Sequence, residues 1–350
     1  MNKNYQQFSS KICAWGKEND REMPWKGEKN PYLIWLSEII LQQTKVEQGT
    51  RYFLAFKKKY PTIFELAKAQ EEEVLKLWEG LGYYSRARNL HFTAKDLVSN
   101  YNGVFPNQFV DLLKFKGIGS YTAAAIASFA YEEPKAVVDG NVVRVLSRYF
   151  GIENSFVSAS DKKSFQTFAD KLIQNVSPSI YNQAIMDFGA GICTPKNVDC
   201  SKCFLKKNCF AFKNKLQEKL PLKKKKIKVK ARFFTFIIAV FKDSVYLEKR
   251  EQNDIWKGLY QFPLIEEDNS IIKNEKKLKR AIQELLNNDN FEILNKSKIY
   301  TQKLTHQKIS ANFVEIRLKK ALNNSFLKSD INFLSKFAFP KIINVYLDTK

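Results

Sequence analysis

Residues 112–123 read LLKFKGIGSYTA, a Gly-x-Gly turn that separates two apolar segments. Gly117 and Gly119 leave backbone N–H groups unobstructed, and the N-terminus of a following helix adds a partial positive charge. Such a turn is suited to binding a phosphate group. Taken alone, it is equally typical of an ordinary helix–turn–helix, so the flanking sequence has to distinguish the two.

The flanking sequence is helical on both sides of this turn. From Ser9 to about Lys213, apolar residues recur at helical spacing and turn signals separate the segments. Residues 221–232 then carry seven basic side chains, which favours a solvated linker over a dedicated phosphate-binding strip. Beyond it, the pattern predicts strands at residues 233–241, 244–248 and 309–318 and a helix at 276–287. We therefore predict an all-α domain over residues 1–213, a linker over 214–232 and an α+β domain over 233–350.

The composition narrows the class of protein. A chain of 350 residues is long enough for about two domains. Its net charge of +22 favours a polyanionic partner, while 44% hydrophobic residues with few Gly and Pro exclude collagen-like and wholly disordered chains. The longest nearly apolar run, residues 233–241, is too short to span a bilayer, and the first eight residues lack the apolar region of a signal peptide. These features predict a protein that neither enters a membrane nor is exported.

Four of the five cysteines are packed into 17 residues: Cys193, Cys200, Cys203 and Cys209. Their spacing, C-x6-C-x2-C-x5-C, lets four thiolates converge on one centre, and soft sulfur ligands select zinc or iron–sulfur clusters. Zinc sites more often pair two short C-x2-C arms, and only one such pair occurs here. Lysines inside the loop suit docking on phosphates, so the metal is expected to act as a structural staple.

Two carboxylates are candidates for acid–base chemistry. Glu38 lies in PYLIWLSEIILQQT, residues 31–44, where apolar residues occur around nearly the whole helix. Burial there should raise the pKa of Glu38 and keep it partly protonated near neutrality, as a general acid requires. A hydrogen-bonded structural glutamate is the alternative. Asp139 precedes another helix, where an N-cap is the simplest interpretation.

The Gly-x-Gly turn, the segment VDGNVVRV at residues 138–145 and the cysteine spacing together resemble the helix-hairpin-helix DNA glycosylases of the endonuclease III type. Within that superfamily, the chain resembles the MutY-type adenine DNA glycosylases over nearly its whole length, most strongly up to Cys209. The resemblance implies a multidomain fold: an all-α helix-hairpin-helix glycosylase domain with an iron–sulfur cluster loop, followed by an α+β Nudix-like domain. It also implies that the four clustered cysteines hold a [4Fe–4S] cluster.

The resemblance also implies catalytic roles. Glu38 matches the family residue that protonates N7 of adenine. Asp139 matches the family residue whose carboxylate stabilises positive charge at C1′. Tyr121 occupies the hairpin position where bifunctional relatives carry a nucleophilic lysine, which implies a monofunctional glycosylase with no or weak AP lyase activity. Tyr121 and Asn141 would orient the sugar and Asp139.

Further residues match DNA-contacting positions of that family. The resemblance assigns Gln43 and Tyr83 to minor-groove wedges, Gly117 and Gly119 to the phosphate-binding hairpin, Trp25 and Gln183 to the adenine pocket, and Thr305 and His306 to a loop that reads 8-oxoguanine. From the residues alone, Tyr83 and Tyr84 would be core residues and His306 a surface residue. Lys26 is left outside the predicted site, because the family often has arginine or glutamine there.

The C-terminal region carries the Nudix-like match in WKGLYQFP, residues 256–263. The helix predicted after it has too few carboxylates to hold magnesium, which argues against pyrophosphatase activity. Leu304 replaces the aromatic residue of the family's Phe-Ser-His loop. The partner implied is double-stranded DNA with an 8-oxoguanine·A or G·A mispair, bound by a monomeric, cytoplasmic, nucleoid-associated protein of bacterial type. The alternatives are a glycosylase for thymine or uracil mismatches and a non-catalytic DNA-binding protein.

Overall fold

The protein is described by a computed structural model that covers residues 3–19, 21–222, 229–323 and 325–350. Part of the predicted linker, residues 223–228, lies outside the described residues. Within the described part of the chain, contacts divide the protein into two compact units: residues 1–68 with 89–225, and residues 69–88 with 226–350. The domain boundaries near residues 213 and 233 remain a prediction.

The first unit is built of helices, as its apolar spacing predicts. They are α1 (Lys3–Glu18), α2 (Pro31–Leu41), α3 (Val46–Lys59), α4 (Ile63–Lys68), α6 (Ser85–Tyr101, whose first turn is counted with the second unit), α7 (Phe109–Leu112), α8 (Ser120–Tyr131), α9 (Gly140–Phe150), α10 (Ala159–Leu172), α11 (Pro178–Gly191) and α12 (Phe210–Lys213). The α5 helix (Glu71–Leu77) belongs to the second unit. Short 3-10 turns at Cys200–Lys202 and Lys206–Asn208 shape the cysteine loop.

The core of the first unit lies where α1, α9 and α11 meet, around Phe8, Leu146 and Phe188. Close approach is possible because α1 has a glycine at its crossing point with α11. A Cβ atom built on Gly16 would lie 2.4 Å from the Cβ of Ala184, so any larger residue would push the two helices apart. This packing fixes α11, which carries several residues of the candidate site.

The second unit contains the sheet. Its strands are β1 (Lys230–Phe241), β2 (Ser244–Lys249), β3 (Tyr260–Gln261), β4 (Leu264–Glu267), β5 (Phe291–Lys296), β6 (Tyr300–Lys303), β7 (Gln307–Leu318) and β8 (Leu327–Asp330), with helices α13 (Glu275–Leu286) and α14 (Lys341–Leu347) and a 3-10 turn at Ile331–Lys336. The central strand β1 runs parallel to β7, with Phe236 opposite Phe313, and antiparallel to β2 and β4. The predicted strands and helix of this region are confirmed, and the predicted fold class with them.

One face of the sheet packs against α13, because Leu278, Ile282 and Leu286 recur at helical spacing and meet Ile237 and Val314 of the two central strands. Among the described residues, no helix is long and apolar enough to cross a membrane.

Candidate active site

Glu38 is the buried acid of the first unit. It sits on α2, which begins with Pro31 behind the N-cap Asn30 and is buried over most of its surface. Only 7% of Glu38 is exposed. Burial raises the pKa of its carboxyl group to about 7, because the charged form loses its hydration; the hydroxyl of Tyr121 lowers it and the negative charge of Asp139 raises it further. The expectation of a raised pKa is confirmed.

Tyr121 and Asp139 face this acid. The Tyr121 hydroxyl donates a hydrogen bond to Sδ of Met186 at 3.3 Å and lies within reach of the Glu38 carboxyl group, whose pKa it lowers by hydrogen bonding. The pKa of Tyr121 is raised well above its usual range by burial and by the two nearby carboxylates, which keeps the phenol protonated. The structure thus brings together Glu38, Tyr121 and Asp139, which lie far apart in the sequence.

Asp139 is held at the N-terminus of α9. Its Oδ1 accepts hydrogen bonds from the backbone N–H groups of Asn141 and Val142, both at 2.8 Å, and its Oδ2 accepts one from Asn141 Nδ2 at 2.8 Å. The N-cap interpretation is confirmed. Three donors fix both carboxylate oxygens, so the carboxylate cannot rotate without breaking them.

Arg144 supports this arrangement and is a residue that the sequence interpretation missed. Its Nη2 donates to Asn141 Oδ1 at 2.8 Å and to the carbonyl of Gly189 at 2.6 Å, and its Nε donates to the carbonyl of Cys193 at 2.7 Å. Arg144 is 8% exposed. Through Asn141 it therefore connects Asp139 to the backbone of the first cysteine in the loop.

A cavity of about 980 Å³ opens beside Glu38, within the range of sites that bind small molecules. Trp25 and Gln183, predicted to line the adenine pocket, both line this cavity. Lys26, which the prediction left out, lines it too, as does Asp187, one helical turn after Gln183. Asp187 accepts hydrogen bonds from Lys26 Nζ at 3.0 Å and Gln183 Nε2 at 3.1 Å. Nothing in the local sequence marks Asp187, because its partner Lys26 is 161 residues away.

The hairpin has the backbone that its glycines predict. Gly117 has φ +82°, and Gly119 is the N-cap of α8. A Cβ atom at position 117 would lie 2.7 Å from Cβ of Asn89, so this position requires glycine for both conformation and space. Gln43, at the end of α2, is exposed and has φ +59°, an uncommon conformation for a residue other than glycine.

The four clustered cysteines line one cavity together with Arg148, Tyr149 and apolar side chains. Arg148 is 3% exposed, and its Nη1 donates to Cys193 Sγ at 3.3 Å. Within the described residues, no group of three or more His, Cys, Asp or Glu side chains is arranged to hold a metal ion. The chemistry of this donor set, four soft sulfur atoms around one largely apolar cavity, fits a thiolate-held centre, either zinc or an iron–sulfur cluster.

The remaining predicted residues lie in the second unit. Tyr84 is buried, in agreement with a core role, but Tyr83 is 46% exposed. Thr305 and His306 are exposed in the turn between β6 and β7. The hydroxyl groups of Tyr83 and Thr305 form a hydrogen bond, so the structure brings the predicted wedge residue Tyr83 next to the loop predicted to read 8-oxoguanine.

Known proteins resemble both units. The model of the HhH-GPD superfamily base excision DNA repair protein matches residues 36–174, and that of the NUDIX domain matches residues 234–349. An adenine DNA glycosylase of Buchnera aphidicola subsp. Baizongia pistaciae is 36% identical, over 89% of this chain and 87% of its own. The chain belongs to the adenine DNA glycosylase family.

Two further comparisons agree with this membership. An adenine DNA glycosylase of Buchnera aphidicola subsp. Schizaphis graminum is 39% identical over 73% of this chain and 74% of its own. A solved structure of a thermostable thymine-DNA glycosylase matches with a TM-score of 0.55 and 30% identity, over 61% of this chain and 98% of its own. The two Buchnera relatives therefore match more of the chain than this structure does.

Proposed function

We propose that this member of the adenine DNA glycosylase family removes adenine from DNA when it is mispaired with 8-oxoguanine or guanine, and that it does not cleave the strand. One observation carries the proposal: Glu38, with a pKa of about 7, lines the cavity beside it and faces Tyr121 and Asp139. A purine is a poor leaving group unless it is protonated. A carboxyl group with this pKa can donate the required proton near neutrality.

The reaction begins with the adenine nucleotide turned out of the duplex, because a stacked base cannot reach a buried acid. Trp25 and Gln183 would receive the base in the cavity, where the Lys26–Asp187 pair keeps the Gln183 amide oriented. Glu38 donates its proton to N7 of adenine, and the C1′–N9 bond breaks as positive charge develops on the sugar.

Asp139 supports the second half of the reaction. Its negative charge stabilises the positive charge at C1′, as the second carboxylate does in glycoside hydrolysis. A water molecule then adds to C1′ and gives up a proton to the Glu38 carboxylate, which restores the acid and leaves free adenine and an abasic site. Tyr121 keeps Glu38 oriented and has no amine with which to form a Schiff base, so the strand stays intact.

Recognition of the opposite base belongs to the second unit in this proposal. Tyr83 would enter the DNA duplex beside that base. Thr305 and His306 would read 8-oxoguanine through their hydroxyl and imidazole groups. Gln43 would fill the gap left by the adenine, and the hairpin at Gly117 and Gly119 would bind a backbone phosphate.

Cys193, Cys200, Cys203 and Cys209 would hold a [4Fe–4S] cluster. When bound, this group would cross-link the loop structurally, and the glycosidic step uses none of its chemistry. Lys202, Lys206 and Lys207, which lie inside the loop, would supply the positive charge for phosphate contacts. We expect protein prepared without oxygen to contain iron and inorganic sulfide in equal amounts. Stoichiometric zinc without iron would contradict the assignment.

The deciding experiment is a cleavage assay on a duplex with one 8-oxoguanine·A pair, half of each sample treated with alkali. We expect cleavage of the adenine strand only after alkali, which indicates base excision without lyase activity. Cleavage without alkali would reveal a lyase nucleophile. Excision only from G·T or G·U duplexes would favour a thymine or uracil glycosylase, and binding without excision on any of these duplexes would favour a non-catalytic protein.

A further inference from the structure

The turn at residues 80–83 has an unusual backbone. Gly80, Gly82 and Tyr83 have φ values of +91°, +73° and +49°. Glycine adopts this conformation readily, but a tyrosine does so only when its surroundings impose it. Tyr83 is at the same time one of the exposed large hydrophobic residues of the chain. A strained, exposed aromatic residue therefore depends on whatever holds its turn in place.

Two side chains hold the carbonyl group before Tyr83. Trp78 Nε1 donates to the Gly82 carbonyl at 3.0 Å, and Arg86 Nη2 donates to the same oxygen at 3.3 Å. The guanidinium carbon of Arg86 also lies 5.0 Å from the ring centre of Trp78 and 5.7 Å from that of Tyr83. Trp78 is fully buried, so it is a fixed support. Arg86 connects it to the turn that carries Tyr83 through a hydrogen bond and cation–π contacts.

We propose that Arg86 is a positioning residue that holds Tyr83 ready to enter DNA, and that it thereby sets the preference for the base opposite the excised adenine. This inference rests on the proposed function, in which Tyr83 enters the duplex beside that base. The Tyr83 hydroxyl bonds with Thr305, so a displaced ring would also change the loop that reads the opposite base. Arg86 itself need not contact DNA.

A double-mutant cycle tests the proposal. Single-turnover excision rates are measured on 8-oxoguanine·A and G·A duplexes for the wild type, Arg86→Gln, Tyr83→Ala and the double variant. We expect Arg86→Gln to lower the ratio of the two rates about tenfold, the equivalent of one hydrogen bond and a cation–π contact. With alanine at position 83, Arg86→Gln should change the ratio less than about twofold. The same loss in both backgrounds would overturn the proposal, because a merely structural arginine would act regardless of Tyr83.

A binding measurement separates failure of this inference from failure of the proposed function. Duplexes with 2-aminopurine next to 8-oxoguanine report unstacking by fluorescence, with no need for excision. We expect binding of the wild type to raise the fluorescence and Arg86→Gln to lose most of this rise. Arg280→Gln is the control, because it changes an arginine that is 81% exposed, and it should give the same rise as the wild type. An unchanged rise in Arg86→Gln overturns the inference even if the wild type excises adenine.

Thermal unfolding will show whether the Arg86→Gln variant folds. If it does not, Arg86→Lys provides a second test of the proposal. Lysine keeps the charge and one donor but lacks the planar surface that packs on the two rings. We expect about a threefold loss of the rate ratio, between the wild type and the tenfold loss expected for glutamine. Full retention of the ratio by a folded Arg86→Lys variant, together with full retention of the fluorescence rise, would show that stacking on Tyr83 is irrelevant.

Discussion

The proposed chemistry and the proposed recognition occupy regions of opposite character. Glu38 is buried on α2, and Asp139 caps the N-terminus of α9, where several hydrogen bonds hold its carboxylate. Tyr83, Thr305 and His306 lie on exposed turns, one of them in a strained conformation. A proton donor needs a dry, fixed environment that raises its pKa, whereas a residue that reads a base must reach outward into DNA. Substitutions in the two regions should therefore differ in kind as well as in size.

Loss of the buried acid should have the largest effect. Glu38→Gln keeps the size and hydrogen-bonding capacity of the side chain but removes the proton that N7 would receive. We expect a fall of about 10³-fold in the single-turnover excision rate on an 8-oxoguanine·A duplex, with DNA affinity changed by less than about threefold. Arg280→Gln serves as the control. Excision by Glu38→Gln at near wild-type rate would contradict the role of Glu38 and remove the contrast between the regions.

The same acid should shape the pH profile. Because the folded-state pKa of Glu38 is about 7, the protonated fraction falls as pH rises through 7. We expect the single-turnover rate of the wild type to fall about tenfold per pH unit above this value, or about a hundredfold by two units above it. Single-turnover excision rates measured from pH 7 to two pH units above it test this expected fall. A flat profile above pH 7 would mean that Glu38 is not the proton donor.

Stability provides an independent measure of the raised pKa. The folded protein binds the Glu38 proton more tightly than the unfolded chain does, so its stabilising contribution is complete below pH 4.5 and is lost as pH rises towards 7. Glu38→Gln avoids this loss. We expect the variant to be more stable than the wild type at pH 8 by up to about 3 kcal/mol, and to show little of this gain at pH 5. Denaturant unfolding at the two pH values measures the difference, and an equal gain at both would contradict it.

Arg144 should have an intermediate effect, because it acts on the acid–base pair through Asn141. Arg144→Gln removes the donors to Asn141, Gly189 and Cys193, and leaves buried acceptors unpaired. We expect about a 30-fold loss of excision rate and a loss of stability of about 3 kcal/mol. Single-turnover rates and thermal unfolding check both, with Arg280→Gln as the control. A stable variant with a full excision rate would show that Asp139 needs no support from the cysteine loop.

The difference between the buried acid–base site and the exposed turns also explains which features of the protein the sequence could predict. The helical spacing, the Gly-x-Gly turn and the four cysteines are local patterns, and the fold and the raised pKa of Glu38 follow from them. Arg144, Asp187 and Arg86 lack such a signal, because each depends on partners that folding brings close or on a backbone conformation that composition does not encode. Lys26 is left out of the predicted site because the family often has arginine or glutamine there. Its partner Asp187 lies on α11, 161 residues along the chain, and gives no local signal that would restore it. Tyr83 departs from the core role that its sequence alone suggests, at the turn where the backbone is strained.

The smallest effect should come from the exposed reader Thr305. Thr305→Val keeps the shape of the side chain but removes the hydroxyl that bonds with Tyr83 and, in the proposed function, faces 8-oxoguanine. Loss of one exposed hydrogen bond corresponds to about 1 kcal/mol, so we expect the rate on the 8-oxoguanine·A duplex to fall about fivefold and the rate on the G·A duplex to change less than about twofold. Thr305→Ser, which keeps a hydroxyl, should retain the preference. Equal losses on both duplexes would place Thr305 in general DNA binding, and the exposed turn would then contribute affinity and no selectivity.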